Sequence, residues 1–376
     1  MRKIIYVSGT RADFGLMAST LKLAANDPKL DISLCVTGMH LSPRFGETVH
    51  EIEESGLRIC GRVPVEIEET SGATMARAIG NELTGMVDLF EQEQPDIVLV
   101  LGDRGEQLAG ALAAIHLNIP VVHLHGGERS GTVDEPVRHA ISKLSHYHLV
   151  ATEGSKERLI RMGEREDRVK VVGAPGLDGL KEMAQQSRKE LCEKYRLDSE
   201  KPIALMLFHP VLQEADQAGH QTRQLMDALL DQSLQVIALM PNADAGGTLI
   251  QEALENYRNR SGIQLAVHIP RTDFISWMSA ADVMVGNSSS GIIEAATFGL
   301  PVVNVGSRQN GRERSGNVQD APAEGGTISQ ALEKALQTGK KSFKNVYGDG
   351  QTGQRIVDLL LTLALTPDVL HKSNTY

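Results

Sequence analysis

Short apolar runs that are typical of buried strands alternate with longer helical patterns along the whole chain. Consecutive parallel strands need a long crossover, usually a helix, so this alternation predicts parallel sheets covered by helices. Strands are predicted at 3–8, 31–37, 97–101, 121–124, 147–151, 169–172, 203–208, 235–240, 264–269, 282–285 and 302–305. Helices are predicted to end near 25 and 117, and to span 43–55, 73–93, 135–144, 155–162, 217–230, 247–259, 274–280, 292–298, 328–336 and 355–365.

Two doubly wound Rossmann-like domains are expected, because 376 residues are many for one hydrophobic core. The pattern breaks at Gly173-Ala174-Pro175-Gly176 and then restarts, which predicts domains at 1–174 and 175–354. A last helix could pack on either half, and it is treated as a separate segment, 355–376. Ligand is expected at the loops that follow the strands, between the two halves.

Charge and cysteine content exclude several classes of protein. A net charge of −10 argues against nucleic acid or an anionic membrane as a partner. Three cysteines without metal spacing fit a reducing compartment, and neither a signal peptide nor a membrane span is expected, so the prediction is a cytoplasmic protein.

The stretch 286–294 carries the clearest ligand signal. Ser288, Ser289, Ser290 and Gly291 lie at a predicted strand-to-helix junction, where free backbone N–H groups and hydroxyls predict a phosphate site that Gly291 lets an anion approach closely. Glu294, about one turn into the helix, is placed to bind two ribose hydroxyls. The alternative is that the serines simply cap the helix.

Other polar residues also follow predicted strands. Arg11 after the first strand and Arg308 near the last are candidate phosphate ligands, although Arg11 could instead pair with Asp13 at the surface. His209 and Asn242 end two successive strands of the second half. They are expected to face the ligand.

Carboxylates and histidines gather in the first half. Asp103 is either a helix cap or a functional carboxylate, and Glu128 and Asp134 flank one loop, as expected for general acid–base chemistry or for a solvated loop. His123 and His125 are predicted to share one face of a strand. Metal binding there is the less favoured possibility, because no third ligand follows at clear spacing.

The sequence Gly-Asp-Gly-Gln-Thr-Gly at 348–353 matches the spacing of a dinucleotide-binding motif. No buried strand precedes it, so it is predicted to be a turn before the last helix.

Taken together, the motifs resemble the hydrolysing UDP-N-acetylglucosamine 2-epimerases, which open sialic acid synthesis. The segments that carry the resemblance are Gly-Thr-Arg-Ala-Asp at 9–13, Val-Thr-Gly-Met-His at 36–40, Gly-Asp-Arg at 102–104, Gly-Gly-Glu at 126–128, Asp-Glu-x-x-Arg-His-x-Ile-Ser-Lys at 134–143, His-Pro at 209–210, Gly-Asn-Ser-Ser-Ser-Gly at 286–291 and Gly-Ser-Arg-Gln at 306–309. The resemblance implies a fold of the glycosyltransferase-B type, with the last helix crossing back to the first domain.

The implied reaction converts UDP-N-acetylglucosamine and water to N-acetylmannosamine and UDP. A base removes the C2 proton as UDP leaves, and water then adds to the 2-acetamidoglucal at C1 while C2 is reprotonated. By resemblance, Asp103 and Asp134 transfer protons, Glu128 supports them and His209 stabilises the leaving pyrophosphate. The residues implied to contact UDP are Arg11, Arg104, His209, Asn242, Ser288, Ser289, Glu294 and Arg308. No cofactor and no metal are expected. The protein is expected to form a homo-oligomer, either a dimer or a tetramer.

One position departs from the family pattern. By resemblance, many relatives carry a glutamate, itself a candidate for proton transfer, where this chain has His125, so either His125 or Glu128 is expected to take over that role. Four alternatives remain open from the sequence. They are a hydrolysing epimerase of a UDP-2,4-diacetamido-6-deoxy sugar as in legionaminic-type pathways, a non-hydrolysing 2-epimerase, a glycosyltransferase of the same fold, and a nucleotide-sugar sensor without turnover.

Overall fold

A computed structural model of the protein describes residues 1–67, 72–129, 134–241, 246–267 and 269–375; the side chains of residues 72, 134 and 212 are also outside the description. The chain divides into two compact units. The first unit contains Met1–Asp178 and Tyr347–Tyr376, and the second contains Gly179–Val346. Among the described residues, no helix combines the length and apolarity that crossing a bilayer requires.

The first unit is built on seven parallel strands. In chain order its elements are β1 (Arg2–Ser8), α1 (Arg11–Ala25), β2 (Leu30–Thr37), α2 (Val49–Glu54), β3 (Arg58–Val63), α3 (Gly72–Glu93), β4 (Ile97–Leu101), α4 (Gly105–His116), β5 (Val121–Leu124), α5 (Asp134–Leu144), β6 (Tyr147–Val150), α6 (Glu153–Arg161) and β7 (Val169–Val171). The strand order is β3-β2-β1-β4-β5-β6-β7. The order therefore reverses between β1 and β4, where parallel α/β sheets characteristically bind ligands.

The second unit repeats this plan with six parallel strands. Its elements are α7 (Leu180–Met183), α8 (Arg188–Tyr195), β8 (Ile203–Leu207), α9 (Ala218–Asp231), β9 (Gln235–Leu239), α10 (Gly247–Glu255), β10 (Ile263–Ala266), α11 (Arg271–Ala280), β11 (Val283–Gly286), α12 (Ser289–Ile293), β12 (Val302–Val305), β13 (Val318–Ala321) and α13 (Gly325–Thr338). The strand order β10-β9-β8-β11-β12-β13 reverses between β8 and β11. The predicted fold class, two doubly wound Rossmann-like domains, is thus confirmed.

Alternation along the central strand explains why helices cover both faces of the first sheet. Ile4 and Tyr6 belong to one buried cluster, and the intervening Ile5 and Val7 belong to another. The first cluster is completed by α1 and by a last helix, α14 (Thr352–Thr362), which contributes Ile356, Val357 and Leu360. Apolar residues of α3, α4 and α5 complete the second cluster.

The last helix is therefore part of the first unit. The predicted boundaries at 174/175 and 354/355 lie close to the ends of the units but do not coincide with them. The roles assigned to the two domains stay predictions. In the segment 348–353, residues 348–351 form the turn that leads into α14 and residues 352 and 353 begin the helix, as the lack of a preceding strand indicated.

Two strands and two helices were missed by the sequence patterns. β3 and β13 each lie at a sheet edge and pair on one side only, so their polar sequences RICGRV and VQDA lack the apolar run of a central strand. The short helices α7 and α8 were also not predicted. The helix predicted at 43–55 is wrong: left-handed Gly46 and Glu47 interrupt it, leaving a short 3₁₀ turn (Pro43–Phe45) and α2.

Candidate active site

In the first unit, the loops after β1, β4 and β5 lie at one end of the sheet because adjacent parallel strands end on the same side. Asp103 follows β4 within the loop that precedes α4. The N-cap of α4 is Arg104, which makes no side-chain cap, so Asp103 does not serve as the helix cap. Instead, the Asp103 carboxylate accepts a hydrogen bond from the Arg138 guanidinium on α5. This ion pair joins the loop after β4 to α5.

Arg138 was not among the predicted site residues, although in the structure it is the partner of Asp103. Its side chain is buried, yet within the described part of the chain Nε and Nη1 have no hydrogen-bond partner. Buried guanidinium donors without partners are costly, so these two atoms are suited to a carbonyl or anionic oxygen of a ligand. A signal was present in the sequence, since Arg138 lies on the helix predicted at 135–144, four residues after Asp134.

His125 and Glu128 form a buried pair. His125 Nδ1 hydrogen-bonds to Glu128 Oε1, and His125 Nε2 is buried with no hydrogen-bond partner among the residues that the structure describes. His125 also has a left-handed backbone, with φ of 58°, which is uncommon for a residue other than glycine. A carboxylate that holds one imidazole nitrogen leaves the other as a proton acceptor, which is the arrangement that a general base requires.

His123 and His125 do not share a strand face, so that prediction is wrong. β5 ends at Leu124, and the left-handed backbone of His125 turns it out of the strand. His123 is fully buried and both of its nitrogens are occupied: Nε2 donates to the Gly102 carbonyl at 2.8 Å, and Nδ1 is 3.1 Å from Ser142 Oγ. Burial lowers the pKa of His123 to about 3, so it is a neutral structural residue.

Asp134 is the first residue of α5, but its side chain lies outside the described residues. Its predicted role stays a prediction.

Gly126 and Gly127 lie where the backbone passes close to other parts of the chain. A Cβ at Gly126 would lie 2.9 Å from His123 Nδ1, and one at Gly127 would lie 2.5 Å from the Ser155 carbonyl oxygen.

Two buried carboxylates, Asp13 on α1 and Glu106 on α4, were not among the predicted site residues. Asp13 is buried and forms a capping box with Thr10, the N-cap residue of α1, and it does not pair with Arg11. Burial and the charge of Glu106 raise the pKa of Asp13 to about 6, although hydrogen bonds from Ser8 and Thr10 lower it. Arg104 Nε donates to Glu106 Oε1 at 2.6 Å. Arg11 lies outside this cluster and pairs with Glu51 at 2.8 Å.

In the second unit, hydrogen bonds connect the loops that follow β8 and β11. The Asn287 amide accepts from the His209 backbone N–H at 2.7 Å and donates to the His209 carbonyl at 2.8 Å. Arg308 Nη1 and Gln309 Nε2 both donate to the Asn287 carbonyl, at 3.1 and 2.9 Å. His209, Asn287 and Arg308 therefore meet at the point where the strand order reverses.

His209 is poised as a neutral donor at this point. Burial, and then the positive charge of Arg308, lower its pKa to about 4. Its Nδ1 is buried and has no hydrogen-bond partner within the described ranges. An imidazole held neutral can donate one N–H to a phosphate oxygen without adding another charge.

The predicted junction at 286–294 is present, with two corrections. The helix that follows β11 lies earlier than the predicted 292–298: α12 covers Ser289–Ile293, and a separate 3₁₀ turn follows at Ala295–Phe298. Gly291 does not open the backbone to an anion, because a Cβ there would point at Val302 Cγ1, 3.1 Å away in the interior. Ser288 caps α12, and its Oγ also lies 2.7 Å from Ser290 Oγ. Capping therefore does not use all the hydrogen-bonding capacity of the serine hydroxyls.

Glu294 ends α12 and is buried. Its carboxylate is held in a two-point ion pair by Arg271, which begins α11 and which sequence reasoning missed. Asn242 lies outside the described residues. Within the described part of the chain, no group of three His, Cys, Asp or Glu side chains is arranged to hold a metal ion.

Two Rossmann-like sheets with charged residues at both strand-order reversals define an α/β enzyme of the glycosyltransferase-B type. A family model described as UDP-N-acetylglucosamine 2-epimerase matches residues 22–361. The chain belongs to this family of UDP-sugar 2-epimerases, and the resemblance stated from the motifs is confirmed.

Two relatives show how the chain is related within the family. It is 53% identical over 376 residues, the full length of both chains, to the hydrolysing UDP-N,N'-diacetylbacillosamine 2-epimerase of Legionella pneumophila. It is 35% identical over 352 residues to the UDP-N-acetylglucosamine 2-epimerase of Neisseria meningitidis serogroup B, covering 94% of this chain and 92% of the relative.

A solved structure supports the fold. The crystal structure of UDP-GlcNAc 2-epimerase from Neisseria meningitidis bound to UDP-GlcNAc matches with a TM-score of 0.81, covering 96% of this chain and 99% of that one. At 21% identity in that comparison, the likeness establishes the fold.

Proposed function

We propose that this protein is a hydrolysing 2-epimerase of UDP-N,N'-diacetylbacillosamine, a UDP-2,4-diacetamido-6-deoxy sugar. The observation that carries the proposal is 53% identity over the whole chain to a relative with that activity, against 35% to a UDP-N-acetylglucosamine 2-epimerase. The proposal replaces UDP-N-acetylglucosamine and sialic acid synthesis as the main prediction and adopts the alternative that the sequence had left open.

The second unit is proposed to hold UDP. The neutral imidazole of His209, the guanidinium of Arg308 and the hydroxyls of Ser288 and Ser289 supply donors to the pyrophosphate. Glu294, fixed by Arg271, binds the ribose hydroxyls. Negative charge develops on the pyrophosphate as the bond from C1 to its oxygen breaks, so donors fixed in advance favour its departure. Arg11, Arg104 and Asn242 are further proposed contacts.

The first unit is proposed to transfer the protons. One of the groups His125, Asp103 and Asp134 accepts the C2 proton as UDP leaves, and a 2,4-diacetamido glycal remains. The oxygen of a water molecule then bonds to C1 while a proton is returned to C2 on the opposite ring face. The products are UDP and a free 2,4-diacetamido-6-deoxy sugar of manno configuration. No redox step is involved, which agrees with the expectation that no cofactor takes part.

Glu128 is proposed to orient His125 and to stabilise its protonated form, and Arg138 to fix the Asp103 carboxylate. A histidine therefore takes the place of the family's glutamate. His125 is held by a hydrogen bond to buried Glu128, and Asp103 is held by an ion pair with buried Arg138, so these two groups need little reorganisation during the reaction.

UDP-N-acetylglucosamine remains the second candidate substrate, favoured by the 35% identical relative. The two sugars share the 2-acetamido group and differ at C4 and C6, so the same chemistry serves both. A cytoplasmic location and a homo-oligomeric state stay predictions.

The deciding experiment compares the two UDP sugars in parallel. We expect kcat/KM for the UDP-2,4-diacetamido-6-deoxy sugar to exceed that for UDP-N-acetylglucosamine at least tenfold, which corresponds to about 1.4 kcal/mol. Equal values, or the reverse order, would contradict the proposed substrate.

The same reaction run in deuterium oxide and in heavy-oxygen water tests the mechanism. One deuterium at C2 of the free sugar and UDP without heavy oxygen would support elimination with C–O cleavage. Heavy oxygen in UDP would mean attack at phosphorus, and a UDP-linked product would mean a non-hydrolysing epimerase. Transfer of the sugar to an added acceptor in preference to water would indicate a glycosyltransferase. Tight UDP binding without any product would indicate a sensor.

A further inference from the structure

A buried charged cluster, which we call the Glu164 cluster, lies in the first unit away from the loops of the candidate site. It consists of Glu164, Lys143, His148 and Lys372. The Glu164 carboxylate is buried and forms ion pairs with Lys143 Nζ at 2.8 Å and with Lys372 Nζ at 2.7 Å. It also forms a hydrogen bond with His148 Nε2 at 2.9 Å. Burial alone would raise the pKa of Glu164, but the hydrogen bond from His148 and the two ammonium groups lower it to about 2.

Lys372 reaches this cluster from the segment 371–375, whose other residues are exposed. Its ammonium also donates to two backbone carbonyls, Ser142 at 2.9 Å and Ser145 at 2.5 Å. Both carbonyls belong to the last turn of α5 or follow it directly. A cation there satisfies carbonyls that have no partner within the helix and complements the negative end of the helix dipole.

A second tie holds the same segment in place. Lys143 Nζ donates to the Asn374 side-chain oxygen, and the Thr375 backbone N–H donates to the Gly163 carbonyl at 2.9 Å. Lys143 and Lys372 thus link three parts of the chain: α5, the residues that follow α6, and the segment 371–375. The C-terminal end of α5 is fastened on two sides.

α5 is also the helix that carries the candidate site. Arg138 on α5 pairs with Asp103, and Ser142, one turn later, hydrogen-bonds to His123, which in turn donates to the carbonyl of Gly102. Since Gly102 precedes Asp103, two routes connect α5 to the same loop. A shift of α5 would move the Asp103 carboxylate through both.

We propose that Lys372 is a positioning residue for the reaction, because it locks α5 and, through it, the Asp103–Arg138 pair in the geometry that proton transfer requires. The inference rests on the proposed function. Lys372 is not proposed to contact the reacting atoms; it acts through α5. Displacements of about 1 Å in such a group can cost on the order of a hundredfold in rate.

The substitution Lys372→Met tests this with little risk to folding. Glu164 keeps Lys143 and His148 as partners, so no buried carboxylate is left alone. Lys372→Arg keeps the charge and serves as the rescue variant, and Lys372→Gln keeps a hydrogen-bond donor if the Met variant does not fold. Lys29→Met, at an exposed lysine of the same unit, is the matched control.

Two readouts are measured on the full chain. The first is kcat per UDP-binding site. The sites are counted by UDP titration, so that misfolded protein is not included in the enzyme concentration. We expect kcat to fall about tenfold in Lys372→Met, with KM and the UDP Kd within twofold of the parent, and we expect Lys372→Arg to recover to within threefold. A kcat within twofold of the parent, or a UDP Kd that rises in step with the fall in kcat, would overturn the proposal.

The second readout is hydrogen exchange of α5 amides, which needs no substrate. We expect faster exchange across α5 in Lys372→Met and unchanged exchange in α9 of the second unit. Unchanged exchange in α5 would overturn the proposal even if no UDP sugar were turned over. Failure of the parent protein to turn over either UDP sugar would instead count against the proposed function.

Discussion

Glu128 holds the imidazole of His125 by its Nδ1 atom and leaves Nε2 buried without a hydrogen-bond partner among the described residues. A buried imidazole nitrogen without a partner is costly unless a ligand supplies one. The left-handed backbone of His125 adds strain that the surrounding chain must sustain. Both features are expected of a residue arranged for chemistry.

The first prediction concerns this pair. His125→Ala should lower kcat at least about a hundredfold while leaving the UDP Kd within threefold, because general acid–base catalysis contributes roughly 10²–10⁴-fold and His125 is not among the residues proposed to contact UDP. His125→Glu should recover part of the lost rate, since a carboxylate can also accept the proton. Steady-state kinetics and UDP titration measure both quantities.

His116→Ala is the control for the first prediction, because His116 is an exposed histidine of α4. It should leave kcat unchanged. If His125→Ala kept more than a third of the parent kcat, His125 would have no catalytic role.

The second prediction concerns Arg271 and Glu294. Arg271→Met should raise the Kd for UDP about tenfold, because Glu294 is then left buried without its cation and no longer presents a fixed carboxylate to the ribose. The Kd for 2'-deoxy-UDP should rise less than threefold, since that ligand lacks one hydroxyl for the carboxylate to bind. Calorimetric titration of both ligands against both proteins gives the coupling.

Arg258→Met is the matched variant, because Arg258 pairs with Glu255 on the surface of the same unit. It should change neither Kd. Equal losses for UDP and 2'-deoxy-UDP in Arg271→Met would show that the ion pair supports the fold and not ribose recognition.

The third prediction concerns Asp134, the first residue of α5. Asp134→Asn should abolish turnover with a UDP Kd within threefold of the parent, a difference below about 1 kcal/mol, because the change removes a proton acceptor while keeping the side-chain shape. Asp368→Asn, at an exposed aspartate of the same unit, should behave as the parent. Comparable loss of turnover and of UDP affinity would identify Asp134 as structural.

The fourth prediction concerns pH and Glu82, which is buried on α3 beside Thr37. Burial, and then the charge of Glu106, raise the pKa of Glu82 to about 8 from an ordinary 4.5. The Thr37 hydroxyl lies 2.7 Å from the Val63 carbonyl, which can only accept, and 3.1 Å from Glu82 Oε1. Its one hydrogen serves one of these partners, so a protonated Glu82 that donates to Thr37 satisfies both contacts.

The sign follows from that raised pKa. The unfolded chain loses the Glu82 proton near pH 4.5 and the folded chain near pH 8, so the parent's stability falls as pH rises through this window. Glu82→Gln removes the effect. Its stability relative to the parent should therefore increase by on the order of 2–4 kcal/mol between pH 5 and pH 8.5.

Urea unfolding of both proteins at the two pH values measures the Glu82 effect. Glu91→Gln, at an exposed position of α3, should show no such trend. A stability difference between Glu82→Gln and the parent that is the same at both pH values would mean that Glu82 titrates normally in the folded protein.

The fifth prediction is that a chelator leaves kcat and KM unchanged. Arginine, histidine and hydroxyl donors are expected to supply the positive potential at the pyrophosphate. Activity lost in chelator and restored by a divalent cation would show that a metal ion bridges the leaving group.

Much of the fold could be predicted from the sequence. The central strands are continuous apolar runs because helices cover both sheet faces, and that pattern needs no tertiary information. Edge strands β3 and β13 escaped because half of their surroundings are polar. Strand order decides which runs are central, and a linear sequence does not encode it locally.

For the candidate site, the sequence by itself determined which residues follow the strands, because loops at strand ends carry Asp103, His125, His209 and the serines at 288–290 whatever the packing. The tertiary structure decided which of these residues contact one another and which keep atoms without a described partner. His123 and His125 are two residues apart, yet one is a neutral structural link and the other keeps a nitrogen free of described partners, because the chain leaves the strand between them. Arg138, Arg271 and Lys372 gain their significance from carboxylates or carbonyls far away in sequence, and such contacts exist only after the sheets have brought distant segments together.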